Sequence, residues 1–398
     1  MNVQAPAFCP TTKDDVAWLG TDPIPARAYY DPEYFELERE AVFKRTWLQI
    51  GHICELAGTG SFIRRDIEVA RASVLIVRGK DEIIRAFHNV CVHRGTKLVN
   101  ADAGRQASFS CPYHMWTYGT DGSLQSAPDF DNFFLEKSQC ALKPVAMEVF
   151  AGLIFVHLGT PAQGVREWLG GFAEGFERLP IAQATDFVEY TYEIEANWKL
   201  TYDNFQENYH LRFVHPRTGG PGCTEENPFA YPQRYNFHGQ HRSQTIWSSP
   251  TPIPQTGTQE LVTQRILPPA VRAGLFNSEL NMDFVGLFPN FTLFGLPIRQ
   301  FTQTIMPLSA RRCRGTIRFY WVGKGESASE RFAREYIMAS QRDIHAEDRD
   351  IVEAGQEGLA SGAIESINFQ VQESLCRHLF NAVDAMVREY QAEVQQAL

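Results

Sequence analysis

The chain has no apolar run near the roughly 18 residues that a membrane-spanning helix needs. The strongest candidate, Val149 to Leu158, is short, contains Gly152 and His157, and reads as a buried strand. Positive charge is not in excess. Lys and Arg total 37 against 47 Asp and Glu, a net charge of −10, which excludes a nucleic-acid binder built on a basic face. The opening MNVQAPAFCPTTKDD lacks a basic stretch followed by an apolar core, so no secretory signal is read there and a cytoplasmic protein is expected. The eight cysteines are scattered over 398 residues and form no disulfide framework. No GxGxxG run opens a helix, which argues against a dinucleotide-binding half. No C-x4-C-x2-C run marks a plant-type ferredoxin.

What is present is an ordinary globular composition, 44% apolar and 21% charged, long enough for two or three domains. Asp31-Pro32 followed by EYFELEREAVFKRTW predicts a capped helix with Tyr34, Phe35, Ala41, Val42 and Trp47 in contact with the core. From about residue 47 to 157 short β-rich runs alternate with turn signals such as Thr120-Asp121-Gly122. Beyond Gly159-Thr160-Pro161 the pattern is mixed. It comprises a helical stretch from Val165, the strand VEYTYEIEA, a helix from Lys199 to His210, three further strands, and closing helices over 327–360 and 370–397. The section from about 217 to 256 is rich in proline and reads as loops. The reading is α+β: a helical segment over 1–46, an all-β domain over 47–158, and an α+β domain with an antiparallel sheet over 159–398.

Two of the cysteines cluster with histidine. Cys91-Val92-His93 is followed, after 17 residues, by Cys111-Pro112-Tyr113-His114. Each half offers one thiolate and one imidazole from a tight loop. Two such loops brought together make a four-ligand site. It suits either a structural Zn²⁺ or a [2Fe–2S] cluster in which two histidines replace two cysteines on one iron.

A second cluster lies in DNFQENYHLRFVHP, which holds Glu207, His210 and His215. Glu207 and His210 share a helix face at i, i+3. His210 and His215 are five apart, about 140° around a regular helix. They converge on one ion only if the helix ends or bulges between them.

CVHRGTKL with SCPYHMWTYGTDGSL resembles the Rieske box of the aromatic-ring-hydroxylating oxygenases. NWKLTYDNFQENYH, LFPNFTLFG and HAEDRDIVEAGQEGLASG resemble later parts of the same family. The resemblance implies a catalytic subunit with a helix-grip-like iron domain. Cys91, His93, Cys111 and His114 would hold a Rieske-type [2Fe–2S] cluster, with Arg94, Gly95, Tyr113 and Trp116 covering it. His210, His215 and Asp348 would hold a mononuclear Fe(II), with Asp343 and Asp350 as fallback carboxylates. The acidic face formed by Glu347, Asp350 and Glu353 also fits plain solvation. Glu207 would bridge His114 of one subunit to His210 of its neighbour; Glu at this position occurs in members resembling the quaternary-amine oxygenases. The partners implied are O₂, a separate NAD(P)H-dependent reductase and optionally a ferredoxin, in a homotrimer with or without a small β subunit. Leu287, Phe288, Asn290, Phe291 and Phe294 would line the pocket. An aromatic substrate is the leading expectation, a quaternary amine the alternative, and a Rieske electron carrier without oxygenase activity the rival of another class. The cationic run Arg311, Arg312, Arg314 reads as a hairpin turn, or else as a docking patch for the donor.

Overall fold

The computed structural model describes residues 11–178, 180–215, 223, 225, 227–246, 257–258, 261–262, 283–296, 299–323, 325 and 327–397. The chain divides into two compact units, Phe43–Trp168 and Met1–Val42 together with Leu169–Leu398. Residues 159–168 group with the first unit for visible reasons. Glu148 accepts a hydrogen bond from the Val165 amide at 3.0 Å, and Trp47 Nε1 donates to the Gln163 carbonyl at 3.0 Å. The Trp168 ring stands edge-on to Phe155 at 6.1 Å.

The first unit is built on an antiparallel seven-stranded sheet and a three-stranded sheet, Ser108–Ser110, Thr117–Gly119 and Leu124–Ser126. These strands enclose a core of Phe62, Leu75, Val77, Phe87, Phe109, Trp116 and Tyr118. The run from Val149 to Leu158 is not one strand but the corner of a hairpin. Pro144–Phe150 pairs with Leu153–His157 around Ala151 and Gly152, both at positive φ. Gly152 carries that φ without strain.

The second unit holds a seven-stranded antiparallel sheet. Its order is Asp186–Ile194, Arg312–Trp321, Arg299–Ser309, Phe291–Leu296, Asp283–Leu287, His241–Ile246 and Pro232–His238. The last two strands form a hairpin inside the section read as loops, much of which lies outside the described residues. On the central strands the two faces separate cleanly. Glu189 and Glu193 pair with Arg318, Arg312 and Arg314 on one face. Phe301, Ile317 and Phe319 pack with Ala333, Ile337 and Met338 of the long helix Ala328–Ala360 on the other. Arg312 and Arg314 are thereby engaged in ion pairs with Glu193 of the neighbouring strand Asp186–Ile194.

The predicted N-terminal helix runs from Pro32 to Glu38, with Asp31 accepting from the Glu33 amide, and passes into a π-turn over Arg39–Phe43. Tyr34, Phe35, Ala41, Val42 and Trp47 are all buried. So is Glu38, which forms a fully buried ion pair with Lys199. The helix expected from Lys199 to His210 is shorter than the pattern suggests. It spans Trp198–Asn204, and after a turn a second helix covers only Leu211–Val214. The Phe205 and Gln206 amides fall back on carbonyls three residues earlier, which ends the first helix before the metal-binding residues begin.

Candidate metal centres

In the first unit the two Cys/His loops are built alike. The Cys91 amide donates to the Thr96 carbonyl at 2.8 Å and the Gly95 amide to the Cys91 carbonyl at 2.9 Å. The Cys111 amide donates to Trp116 at 2.8 Å and the Met115 amide to Cys111 at 3.0 Å. The fourth residue after each cysteine, Gly95 or Met115, takes positive φ. These turns face His93 and His114 toward each other, ring centroids 4.7 Å apart.

Both Nδ1 atoms are buried without a hydrogen-bond partner, as ligand atoms must be to leave a lone pair for a metal. Desolvation lowers the His93 pKa, as do the neighbouring His114 and Arg94, so the neutral imidazole is favoured. Burial pushes the Cys91 thiol up, the Tyr118 hydroxyl at 3.2 Å acts the other way, and Cys111 adds to the rise. Two buried thiols side by side therefore need a cation to exist as thiolates. The donor set of two sulfurs and two orphaned nitrogens fits an iron–sulfur cluster. Trp116 lies parallel to His93 at 4.8 Å, Phe133 stands edge-on to it at 5.4 Å, and Arg94 sits over Tyr113 at 5.2 Å. Phe130, Phe133 and Tyr118 were not legible as part of this site, because only tertiary packing brings them to it.

In the second unit, His210 precedes and His215 follows the single turn Leu211–Val214. His215 leaves the helix at φ −114°, ψ 50°, and this exit lets two histidines five apart converge. Their rings lie 5.2 Å apart. One ligand atom each of His210, His215 and Asp348 falls within 4.8 Å of the others. Asp348 is buried, whereas Asp343 and Asp350 on the same helix point to solvent.

The hydrogen bonds around these rings decide their chemistry. Glu207 binds His210 Nδ1, and Glu347 binds His215 Nδ1 at 2.7 Å. Each Nδ1 thus carries the proton, and each Nε2 is left as a lone pair. The Nε2 atoms face Asp348 Oδ1 at 3.6 and 2.8 Å, yet that oxygen accepts no hydrogen bond. Three convergent electron pairs without a proton between them fit a divalent cation, and two imidazoles with one carboxylate suit non-haem Fe(II). Burial acts to lower the His215 pKa, but Asp348 and Glu347 outweigh it and the net shift is upward.

Glu347 was read as part of a solvated face. It belongs to the site, and its partner lies 132 residues away in sequence, so no local spacing could have shown it. Glu207 also accepts from the amides of Tyr209 and His210. Leu287, Phe288, Asn290 and Phe291 are sheet core: the Asn290 amide group donates to Ile305, and Tyr202 donates to the Phe291 carbonyl.

A β-rich unit with paired Cys/His loops and an antiparallel-sheet unit with a two-histidine, one-carboxylate cluster define a two-metal redox protein of the Rieske type. Residues 181–389 match the ring-hydroxylating alpha subunit catalytic domain, and residues 46–145 the Rieske [2Fe-2S] domain. The chain belongs to the ring-hydroxylating oxygenase alpha subunit family, whose cofactors are a Rieske [2Fe–2S] cluster and a mononuclear iron.

The carnitine monooxygenase oxygenase subunit of Acinetobacter baumannii is 36% identical over 215 residues, 52% of this chain and 55% of that one. The glycine betaine monooxygenase oxygenase subunit of Pseudomonas aeruginosa is 33% identical over 193 residues, 48% and 44%. The chain matches about half the length of these curated relatives. Among solved structures, a quaternary ammonium Rieske monooxygenase in complex with L-carnitine superimposes with TM-score 0.73 at 24% identity, covering 95% and 99%. Naphthalene 1,2-dioxygenase from Rhodococcus gives 0.71 at 22%, covering 92% and 95%. At such identities the likeness shows the fold.

Proposed function

We propose that the chain is the terminal oxygenase of a multicomponent system, using O₂ and two electrons to hydroxylate a C–H bond beside the nitrogen of a quaternary amine. The observation that carries the oxygenase reading is the pair of imidazoles held through Nδ1 by Glu207 and Glu347, with both Nε2 lone pairs turned on Asp348. The substrate class rests on the relatives named for carnitine and glycine betaine. It replaces the aromatic substrate as the leading reading.

Cys91 and Cys111 would hold one iron of the cluster, and His93 and His114 the other. His210, His215 and Asp348 would hold the mononuclear iron. When bound, the iron supplies the site of O₂ reduction and the cluster supplies the electrons singly. Glu207 and Glu347 fix ring orientation and tautomer. C–H, O₂, two electrons and two protons give a C–OH group and water. A carbinol on carbon attached to a quaternary nitrogen then collapses to an aldehyde, an amine and a proton. With no dinucleotide fingerprint in the chain, the electrons come from a separate NAD(P)H-dependent reductase, directly or through a ferredoxin.

The rims of both metal sites carry exposed apolar side chains, Tyr113 and Met115 beside His114, and Tyr209 and Phe213 beside His210. These suit contact with a second copy, in a trimer where Glu207 of one subunit reaches His114 of the next. No described helix is long and apolar enough to cross a membrane.

The test is turnover of L-carnitine, glycine betaine and naphthalene under ¹⁸O₂ with an added reductase. Amine and aldehyde from the quaternary substrates support the proposal. Turnover of naphthalene alone would restore the aromatic reading. Full cluster reduction with no turnover, and no effect of His210→Ala, would leave an electron carrier.

A further inference from the structure

On the three strands Asp186–Ile194, Arg312–Trp321 and Arg299–Ser309, Gln303 is the one amide, among the described residues, on the face that packs against the Asp348 helix; Gln244 lies further along the same face. Phe301, Gln303 and Ile305 pair in register with Phe319, Ile317 and Gly315. Tyr190 and Tyr192 pair with Ile317 and Gly315 from the other side. Gln303 is fully buried. Its Nε2 donates to the Tyr192 hydroxyl at 2.5 Å, and its Oε1 is buried without a partner. The Tyr192 hydroxyl, accepting from Gln303, keeps its own proton to donate. Turning the amide over exchanges these roles and still leaves one donor and one acceptor unused.

The location ties this pair to the iron residues. His345 lies three residues before Asp348, so the two share a helix face. Its ring is 5.1 Å from Tyr192, 5.8 Å from Tyr190 and 4.9 Å from Phe205. Tyr190 and Gln341 engage its two nitrogens. His345 thus packs among these three aromatic rings. Tyr190 and Tyr192 nevertheless keep part of their surface accessible. Burial pushes the Tyr192 phenol well above its usual range and Asp348 contributes to the rise, so the hydroxyl stays protonated within electrostatic reach of that carboxylate.

Gly315 makes the arrangement possible. A Cβ there would lie 2.1 Å from the Tyr192 ring, so the ring rests where only glycine leaves room. An amide buried between Phe301, Ile305 and Ile317, with its oxygen left without a hydrogen bond, is poor structural design. It is good recognition of a group that must leave again.

We propose that Gln303 and Tyr192 are specificity-determining residues that anchor a neutral hydroxyl of the substrate, which both donates and accepts, beside the carbon to be oxidised. This rests on the quaternary-amine reading above and deepens it. The charged face of the sheet, Glu189, Glu193, Arg312, Arg314 and Arg318, is turned the other way, so a substrate carboxylate has no counter-charge from these strands at this anchor.

The matched probes are L-carnitine and γ-butyrobetaine, which differ by one hydroxyl. Calorimetric titration of the iron-loaded chain should give L-carnitine about ten-fold tighter binding, the factor expected of one net hydrogen bond. Gln303→Leu and Tyr192→Phe should each bring the ratio near one, as should Gly315→Ala by displacing the ring. The melting temperature of Gln303→Leu should hold or rise, because the unpartnered oxygen is removed, whereas Tyr192→Phe leaves both ends of the Gln303 amide without a partner and should melt lower.

The anchor is overturned if wild type binds both probes equally or binds neither. It is also overturned if the preference survives in Gln303→Leu and Tyr192→Phe, or if Gln303→Leu melts several degrees lower. Iron and sulfide measured on the same samples separate the two failures. A wild-type chain that takes up no mononuclear iron brings down the oxygenase reading and the anchor with it. A fully loaded chain indifferent to the hydroxyl brings down the anchor alone.

Discussion

Removing the charge of Lys199 should destabilise the second unit strongly, and by an amount that pH controls. Lys199 and Glu38 are both fully buried and form an ion pair. Lys199 Nζ also donates to Asn197 Oδ1 at 3.1 Å and sits over the Tyr29, Trp198 and Tyr34 rings at 5.0, 5.2 and 5.7 Å. Trp198 Nε1 donates to the other Glu38 oxygen at 3.0 Å. In Lys199→Met, Glu38 keeps its burial, which raises its pKa, and loses the partner that opposed the rise. Losing one member of a buried pair costs about 3–5 kcal/mol.

Protonation of Glu38 caps that cost. From an ordinary value of 4.5 to pH 7, neutralisation costs about 3.4 kcal/mol, at about 1.36 kcal/mol per pH unit. At pH 5 the same step costs only about 0.7 kcal/mol. Urea unfolding of the variant should therefore show a loss of about 3–4 kcal/mol at pH 7 that shrinks to about 1 kcal/mol at pH 5. Adding Glu38→Gln should recover much of it. A loss below about 0.5 kcal/mol at pH 7, or one independent of pH, would refute the reasoning.

Three further outcomes follow from the same geometry. Glu347→Ala, which frees His215 Nδ1, should weaken mononuclear iron binding about 10- to 100-fold while the cluster stays intact, as read by competitive chelation. Tyr118→Phe removes the hydroxyl at Cys91 Sγ and should lower the cluster potential by about 50 mV, one hydrogen bond of about 1.2 kcal/mol in a one-electron couple, in a spectroscopic redox titration. His378 is held at about 4 by burial, with Arg242 adding. The folded protein thus keeps it neutral where the unfolded chain, near 6.5, takes a proton. That stability is present above pH 6.5 and lost as pH falls to 4, at most about 3 kcal/mol. His378→Phe, packed against Phe237, should lose less stability on acidification than wild type.

Much of this molecule was legible in its sequence because the metals demand residue types that are otherwise rare together. Two Cys/His loops need no tertiary information to be noticed. The N-terminal helix was legible because Asp31-Pro32 caps it. Spacing alone did not show how His210 and His215 converge, because that depends on a helix ending at Asn204 and a chain leaving the next turn at His215. Glu347, Tyr118 and Glu38 were missed for one reason. Each is an ordinary residue in its own segment and acquires its role from a partner brought in by the fold. The Val149–Leu158 run misled because a continuous apolar stretch has no period, and Gly152 was the turn within it.

The most direct test of the central claim is anaerobic EPR of the dithionite-reduced chain, with iron, zinc and acid-labile sulfide measured on the same sample. The account predicts a Rieske signal of low average g, with about three irons and two sulfides per chain, two irons in the cluster and one at the His–His–Asp site. Zinc in place of iron, without sulfide and without a signal, would contradict the cluster assignment and the oxygenase reading built on it.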